Sequence, residues 1–269
     1  MKLFKYQSTG NDFLCTIGPI THPSIVAKTI CDRHFGIGAD GILIAEPSTQ
    51  GDIKMTYYNS DGSIAPMCGN GLRAFADFVY SQGMVLKKTF KVETGAGILD
   101  VEMNTNSVSI NLGQPTFNLS QPNVLSKVSD LNPVSFHIGN EKIAMHILFL
   151  GTLHGIVFVD DLSQVDITSL GNQLCHDPFF PKYINVNFVE VMDDTHIFVK
   201  TFERGAGLTL SCGTGVAASA VVAHVFKKTK SHVFVEVLGG HLTVDVTHDV
   251  ILTGPTTCIA MIEYLGALQ

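Results

Sequence analysis

The sequence predicts an α+β fold of two pseudo-symmetric domains, each a curved antiparallel, barrel-like sheet wrapped around one central helix. Three observations carry this. First, the chain repeats itself: MTYYNSDGSIAPMCGNGLRAFADFVY from Met55 aligns without a gap with VKTFERGAGLTLSCGTGVAASAVVAH from Val199, an offset of 144 residues (199 − 55). The same offset relates Asn59 to Glu203 and Cys68 to Cys212. Second, VAASAVVAHVF in the second copy is apolar on nearly every helical face, so other elements must enclose it. Third, short β-branched runs surround both copies and supply the enclosing strands.

Each element has its own local signal. SIVAKTICDRH reads as a helix and ILIAE as the strand after it. A helix is expected over 72–82, with Gly83 as its C-terminal stop. KVETGAGILDV and, one residue out of step, EVLGGHLTVDV each read as strand, Gly-rich turn and strand. SVSINL, GIVFVDD, NVNFVEV and HIFVKTF are further strands, and the second central helix is expected over 216–226. NLGQPTFNLSQPNV, from Asn111, is rich in Pro, Asn and Ser and is the best boundary. The expected domains are 1–114 plus 259–269, carrying Cys68, and 115–258, carrying Cys212.

Of 269 residues, 45% are apolar and only 15% charged, so much of the surface should be covered, within the fold or against a second copy in a homodimer. With 17 basic and 24 acidic side chains the net charge is −7, which argues against nucleic-acid and anionic-membrane partners. MKLFKYQSTGNDF lacks the apolar core of a signal peptide, and no run approaches eighteen apolar residues, so a cytoplasmic location is expected.

Several motifs have ordinary explanations. Gly36-Ile-Gly-Ala-Asp-Gly41 has dinucleotide-loop spacing, but a helix precedes it and a strand follows, the reverse of what that turn requires. The eleven histidines are scattered and the six cysteines lack zinc spacing, so neither a metal nor another cofactor is expected. A cysteine here is by default a small buried hydrophobe.

The two Cys-Gly-x-Gly elements depart from that default. Each places a Cys at a helix N-terminus, where backbone N–H groups and the helix dipole favour a thiolate. The amides of Gly69 and Asn70, and of Gly213 and Thr214, are suited to holding a carboxylate. A thiolate on one side of a stereocentre and a thiol on the other would remove and return its proton on opposite faces, inverting it. A cysteine hydrolase would have no use for the second Cys.

The motifs STGNDF, DRHFGIGADG, NSDGSIAPMCGNGLR, ETGAG, INVNFV, ERGAG and SCGTG together resemble the diaminopimelate epimerase family over nearly the whole chain. The resemblance implies cofactor-independent epimerisation of LL- to meso-diaminopimelate, with Cys68 and Cys212 as the acid/base pair. It further implies that Asn11, Asn59, Asn185, Glu203 and Arg204 hold the amino-acid substrate and that Gly69, Asn70, Gly213 and Thr214 hold the reacting carboxylate. His154 and Glu203 would adjust the thiol pKa values. The chain departs from the family pattern at Thr152, where an Asn is usual, and at Leu238, where a Pro is usual. Two alternatives therefore stay open, a racemase for another amino acid such as histidine and a non-catalytic amino-acid-binding protein.

Overall fold

Strands whose side chains are buried on both faces need cover on both sides, and this sets the arrangement of each half. The structure is a computed structural model that describes residues 1–120, 124, 128 and 132–266. It divides into two units, Met1–Asn111 with Thr253–Gln269, and Leu112–Leu252. The first cut lies within three residues of the Asn/Pro-rich boundary, part of which falls outside the described residues. The return falls at Thr253 rather than at 259, because Thr257 and Cys258 already pair with Gln7 and Tyr6.

The first unit runs β1 (Lys2–Ser8), β2 (Asn11–Ile17), α1 (Pro23–Cys31), β3 (Gly41–Glu46), β4 (Ile53–Asn59), β5 (Ile64–Ala65), α2 (Gly69–Ser81), β6 (Thr89–Thr94), β7 (Gly97–Met103) and β8 (Val108–Asn111). The second runs β9 (Val134–Ile138), β10 (Glu141–Leu150), β11 (Thr152–Val159), α3 (Ile167–Cys175), β12 (Asn185–Val191), β13 (His196–Glu203), β14 (Gly207–Thr209), α4 (Gly213–Val225), β15 (His232–Val237) and β16 (Gly240–Asp245). β17 (Ile251–Gly254) spans the return, and β18 (Thr257–Glu263) joins the first unit by pairing with β1.

Strand pairing repeats from one unit to the other. β2 and β3 are parallel, β3 and β4 antiparallel, β4 and β6 parallel, and β6 and β7 antiparallel. The same sequence relates β11, β12, β13, β15 and β16. The α+β, barrel-like class holds, but the sheets are mixed rather than wholly antiparallel. The register aligns the units residue by residue. Phe13 opposite Gly41 corresponds to His154 opposite Asn185, so Leu43 corresponds to Asn187 and Asn11 to Thr152.

α2 and α4 are the enclosed helices, and every α4 residue from Gly213 to Ala223 is buried. α1 packs on β3 and β4, and α3 on β12 and β13. This explains why β3 and β12 begin as unbroken buried runs, while β6 and β15, with fewer covering elements, alternate buried and exposed. Large rings fill the space around α2, where Phe78 lies 5.2 Å from Phe4 and 6.2 Å from Tyr6, centroid to centroid.

Both helices begin three residues earlier than their apolar runs. Cys68 and Cys212 take extended backbone angles as N-caps, and the intervening glycines join the first turn. Gly83, at φ 69°, ends α2 as expected, whereas after α4 Lys227 takes the left-handed conformation at φ 56°.

Candidate active site

In the first unit the sulfur of Cys68 accepts from Gly71 N–H at 3.4 Å, the cap that starts α2. As a thiol it donates to Asn11 Oδ1 at 3.6 Å. The orientation of the Asn11 amide is fixed by chemistry, because its Nδ2 donates to Asp40 Oδ2, which can only accept. Asp40 is held in turn by Arg33 at 2.7 Å, and Arg33 also reaches Asp12. Asn70 Nδ2 approaches Asn11 Oδ1 at 3.5 Å, and Asn70 Oδ1 accepts from Arg73 at 2.9 Å.

Arg73 was not singled out by its sequence. Its side chain is fully buried one turn into α2, and among the described residues its Nε and Nη1 have no hydrogen-bond partner. Burial pushes its pKa down to about 10, while negative charge on Cys68 acts to raise it. By reciprocity the guanidinium favours the Cys68 thiolate. The only signal in the sequence is a cation five residues after a Cys, on a helix expected to be enclosed.

In the second unit the sulfur of Cys212 lies 3.7 Å from Thr214 Oγ1, and that hydroxyl lies 3.0 Å from His154 Nε2. The other ring nitrogen of His154 is 3.2 Å from Asn187 Nδ2. His154 is fully buried, and burial, helped by the nearby Arg204 cation, lowers its pKa to about 3, so the ring is neutral at physiological pH. Asn187, buried and hydrogen-bonded to Gly155 O and Thr201, was also passed over.

The remaining sequence-chosen residues divide between the units. Gly69 and Gly213 open the two helices beside their cysteines. Asn185 Oδ1 accepts from Arg204 N–H at 2.9 Å, joining two of the chosen residues. Glu203 accepts from Thr209 at 2.7 Å. Asn59 sits at the end of β4 in the turn that its Asn-Ser-Asp-Gly sequence describes, with Nδ2 donating to Ser63 Oγ at 2.9 Å. Of the other cysteines, Cys15, Cys31 and Cys175 are buried, as the default reading has it, and burial raises the Cys31 pKa to about 12. Cys258 departs from that default, since it is exposed on β18. Among the described residues no group of three His, Cys, Asp or Glu is placed to hold a metal ion.

The family model for diaminopimelate epimerase matches residues 3–118 and 147–259. A protein named diaminopimelate epimerase from Alkaliphilus metalliredigens is 37% identical over 100% of this chain and 99% of its own length. The chain belongs to the diaminopimelate epimerase family. A further family member of that name, from Caldanaerobacter subterraneus subsp. tengcongensis, is 39% identical over 93% of each chain. Solved structures extend the fold beyond the epimerase family. A hydroxyproline epimerase from Agrobacterium vitis superposes with a TM-score of 0.71 at 14% identity, covering 97% of this chain and 91% of its own. A PhzF-family phenazine biosynthesis protein from Bacillus anthracis gives 0.70 at 17%, covering 98% and 99%. At such identities the likeness is one of fold alone.

Proposed function

We infer that this chain is an isomerase that epimerises LL-diaminopimelate to meso-diaminopimelate without a cofactor. The observation that carries the reading is the pair of cysteines, each capping an enclosed helix at the same place in a repeated unit, in a chain matched end to end by relatives of that name. In the proposed reaction one cysteine, as thiolate, takes the α-proton and becomes a thiol. The other, as thiol, gives its proton to the opposite face of the carbanion and becomes a thiolate. The proton count balances, and the enzyme returns to its starting state by exchange with water.

The first amides of α2 and α4, at Gly69, Asn70, Gly213 and Thr214, precede the helical hydrogen-bond ladder and suit the carboxylate next to the reacting carbon. Negative charge passes onto that carboxylate in the transition state, where helix N-termini stabilise it most. Asn11, Asn59, Asn185, Glu203 and Arg204 are proposed to hold the rest of the amino acid, and His154 and Glu203 to adjust the thiols. We place the enzyme in the cytoplasm as a homodimer. The support is a surface with few charges and the lack, among the described residues, of any helix long and apolar enough to cross a membrane.

Proton NMR of LL-diaminopimelate in deuterium oxide tests the reaction. The expected result is meso product carrying deuterium at the inverted carbon, lost with Cys68→Ala and with Cys212→Ala. Wild-type inversion rates in either variant would overturn the two-thiol mechanism. No inversion by the unaltered protein would overturn the function.

A further inference from the structure

We propose that Asn187 is a positioning residue whose amide locks His154 in its Nε2–H tautomer, leaving the Thr214 hydroxyl free to donate a hydrogen bond to the Cys212 sulfur. The inference rests on the reading of Cys212 as a reacting thiol and adds the device that prepares it.

The argument starts at a backbone carbonyl, which can only accept. Gly155 O lies 3.1 Å from Asn187 Nδ2, which fixes that atom as the NH2 group. The opposite side of the amide agrees, since Asn187 Oδ1 accepts from the Thr201 hydroxyl at 2.9 Å. The second hydrogen on Nδ2 then points to His154 Nδ1, which must accept it. A neutral imidazole that accepts at Nδ1 carries its proton at Nε2. That N–H donates to Thr214 Oγ1 and occupies one of its lone pairs. The hydroxyl keeps its own hydrogen, and Cys212 Sγ is within reach of it. Donation stabilises the thiolate, and when the sulfur is protonated the second oxygen lone pair can accept from S–H. One rotatable hydroxyl therefore serves both protonation states, as a residue alternating between base and acid requires.

The repeat shows that the fold itself does not demand this chain. The counterparts of His154 and Asn187 in the first unit are Phe13 and Leu43, an apolar pair packed against α2 at the same depth. Burying an imidazole and an amide where hydrocarbon suffices costs stability unless every polar group is satisfied. Here the amide and both ring nitrogens are.

The charged and titratable groups on elements packed against α4 are identifiable. Arg204 acts on His154 through space and donates to Lys182 O, and Glu203 accepts from Thr209. His146 on β10 packs at a tilt against Phe226 at the far end of the helix, and Glu141 and Lys142 at the start of that strand are exposed. Glu190 on β12 accepts from Leu162 N–H, Lys200 on β13 donates to Leu162 O, and His196 on β13 lies 3.6 Å from Glu236. His232 and Glu236 on β15 and His241 on β16 are exposed, and Asp245 lies beside His232.

Two measurements on the full chain without substrate test the proposal, so their outcome is separate from whether the protein epimerises diaminopimelate. In 15N-histidine NMR of the unaltered protein near neutral pH, His154 should show a protonated Nε2 and an unprotonated Nδ1. The reverse assignment would overturn the proposal outright. In the second measurement, iodoacetamide alkylation of each cysteine is followed by peptide mass against pH in the wild type and in Asn187→Leu. The Cys212 midpoint should rise by about one pH unit, the loss of a charge-assisted hydrogen bond, while that of Cys68 stays in place. An unmoved Cys212 midpoint in a folded variant would also overturn it. Cys175 lies in the core of the same unit, so its protection reports folding. If that protection is lost in Asn187→Leu, the wild-type tautomer decides alone.

Discussion

The side-chain oxygen of Asn187 lies 2.2 Å from the point a Cβ on Gly215 would occupy. The last glycine of Cys212-Gly-Thr-Gly215 is therefore the space into which β12 inserts its amide. In the first unit the matching glycine, Gly71, would place a Cβ 3.4 Å from the Cys68 Cβ, Leu43 Cδ2 and Phe13 Cε1, an ordinary contact.

Gly71→Ala and Gly215→Ala should accordingly differ, although both replace a glycine in the first turn of an enclosed helix. Alanine gains about 0.5–1 kcal/mol from helix propensity, so Gly71→Ala should be near neutral. Gly215→Ala must push Asn187 aside and should lose about 1–3 kcal/mol. Thermal unfolding of the two variants checks this, and equal melting temperatures would contradict it.

Arg73→Met should separate stability from reactivity. Removing a buried guanidinium with two nitrogens that are unpartnered among the described residues is expected to leave stability within about 1 kcal/mol or raise it. The same change removes the cation that favours the Cys68 thiolate. Alkylation of Cys68 near neutral pH should slow severalfold, while that of Cys212 should not. A large loss of stability with unaltered Cys68 reactivity would make Arg73 a packing residue.

His154 gives the pH dependence of stability a definite sign. Its folded pKa of about 3 is below the ordinary value of 6.5, so between those limits the unfolded chain binds a proton that the folded chain does not. This contribution is complete above about pH 6.5 and is lost as pH falls toward 3. Between pH 7 and pH 5 it amounts to about 2 kcal/mol. Urea denaturation of wild type and His154→Gln at both pH values should show the wild type losing more stability by about that margin.

The duplication, the enclosed helices and both cysteines were legible because each leaves a pattern along the chain: an offset, a run of apolar residues, a Cys beside glycines. The parallel strand pairs were not, since β-branched runs record burial but not strand direction. Asn187 and Arg73 were missed for a related reason, because each acts through burial, which local sequence does not show. The repeat held a clue to one of them. At the 144-residue offset Leu43 aligns with Asn187, and a polar residue standing where its internal counterpart is apolar is out of place unless it has partners. For His154 that comparison needed the register, because its counterpart Phe13 is 141 residues away (154 − 13).

On the proposed placement of the substrate, preference turns on Thr152 and Arg204. Arg204 is exposed, with Nη1 donating to Lys182 O at 2.8 Å, so a ligand lacking a distal carboxylate would strand no buried charge there. Its selectivity must come from what a planar guanidinium grips well, a carboxylate approached with two parallel N–H bonds. Thr152 opens β11 as Asn11 opens β2, so the pseudo-symmetric pair of amides is reduced to one. Asn11 holds its amide toward the Cys68 end of α2, and a hydroxyl at 152 offers a shorter reach and one fewer hydrogen. Thr152→Asn should therefore raise kcat/KM for diaminopimelate about 3- to 10-fold, the worth of one neutral hydrogen bond. It should do less for monocarboxylic amino acids, which have no distal head group to gain from it. Racemisation assays of both proteins across diaminopimelate, histidine and other amino acids check this. If the unaltered protein turns over histidine or another monocarboxylic amino acid faster than diaminopimelate, the substrate assignment fails while the two-thiol chemistry stands.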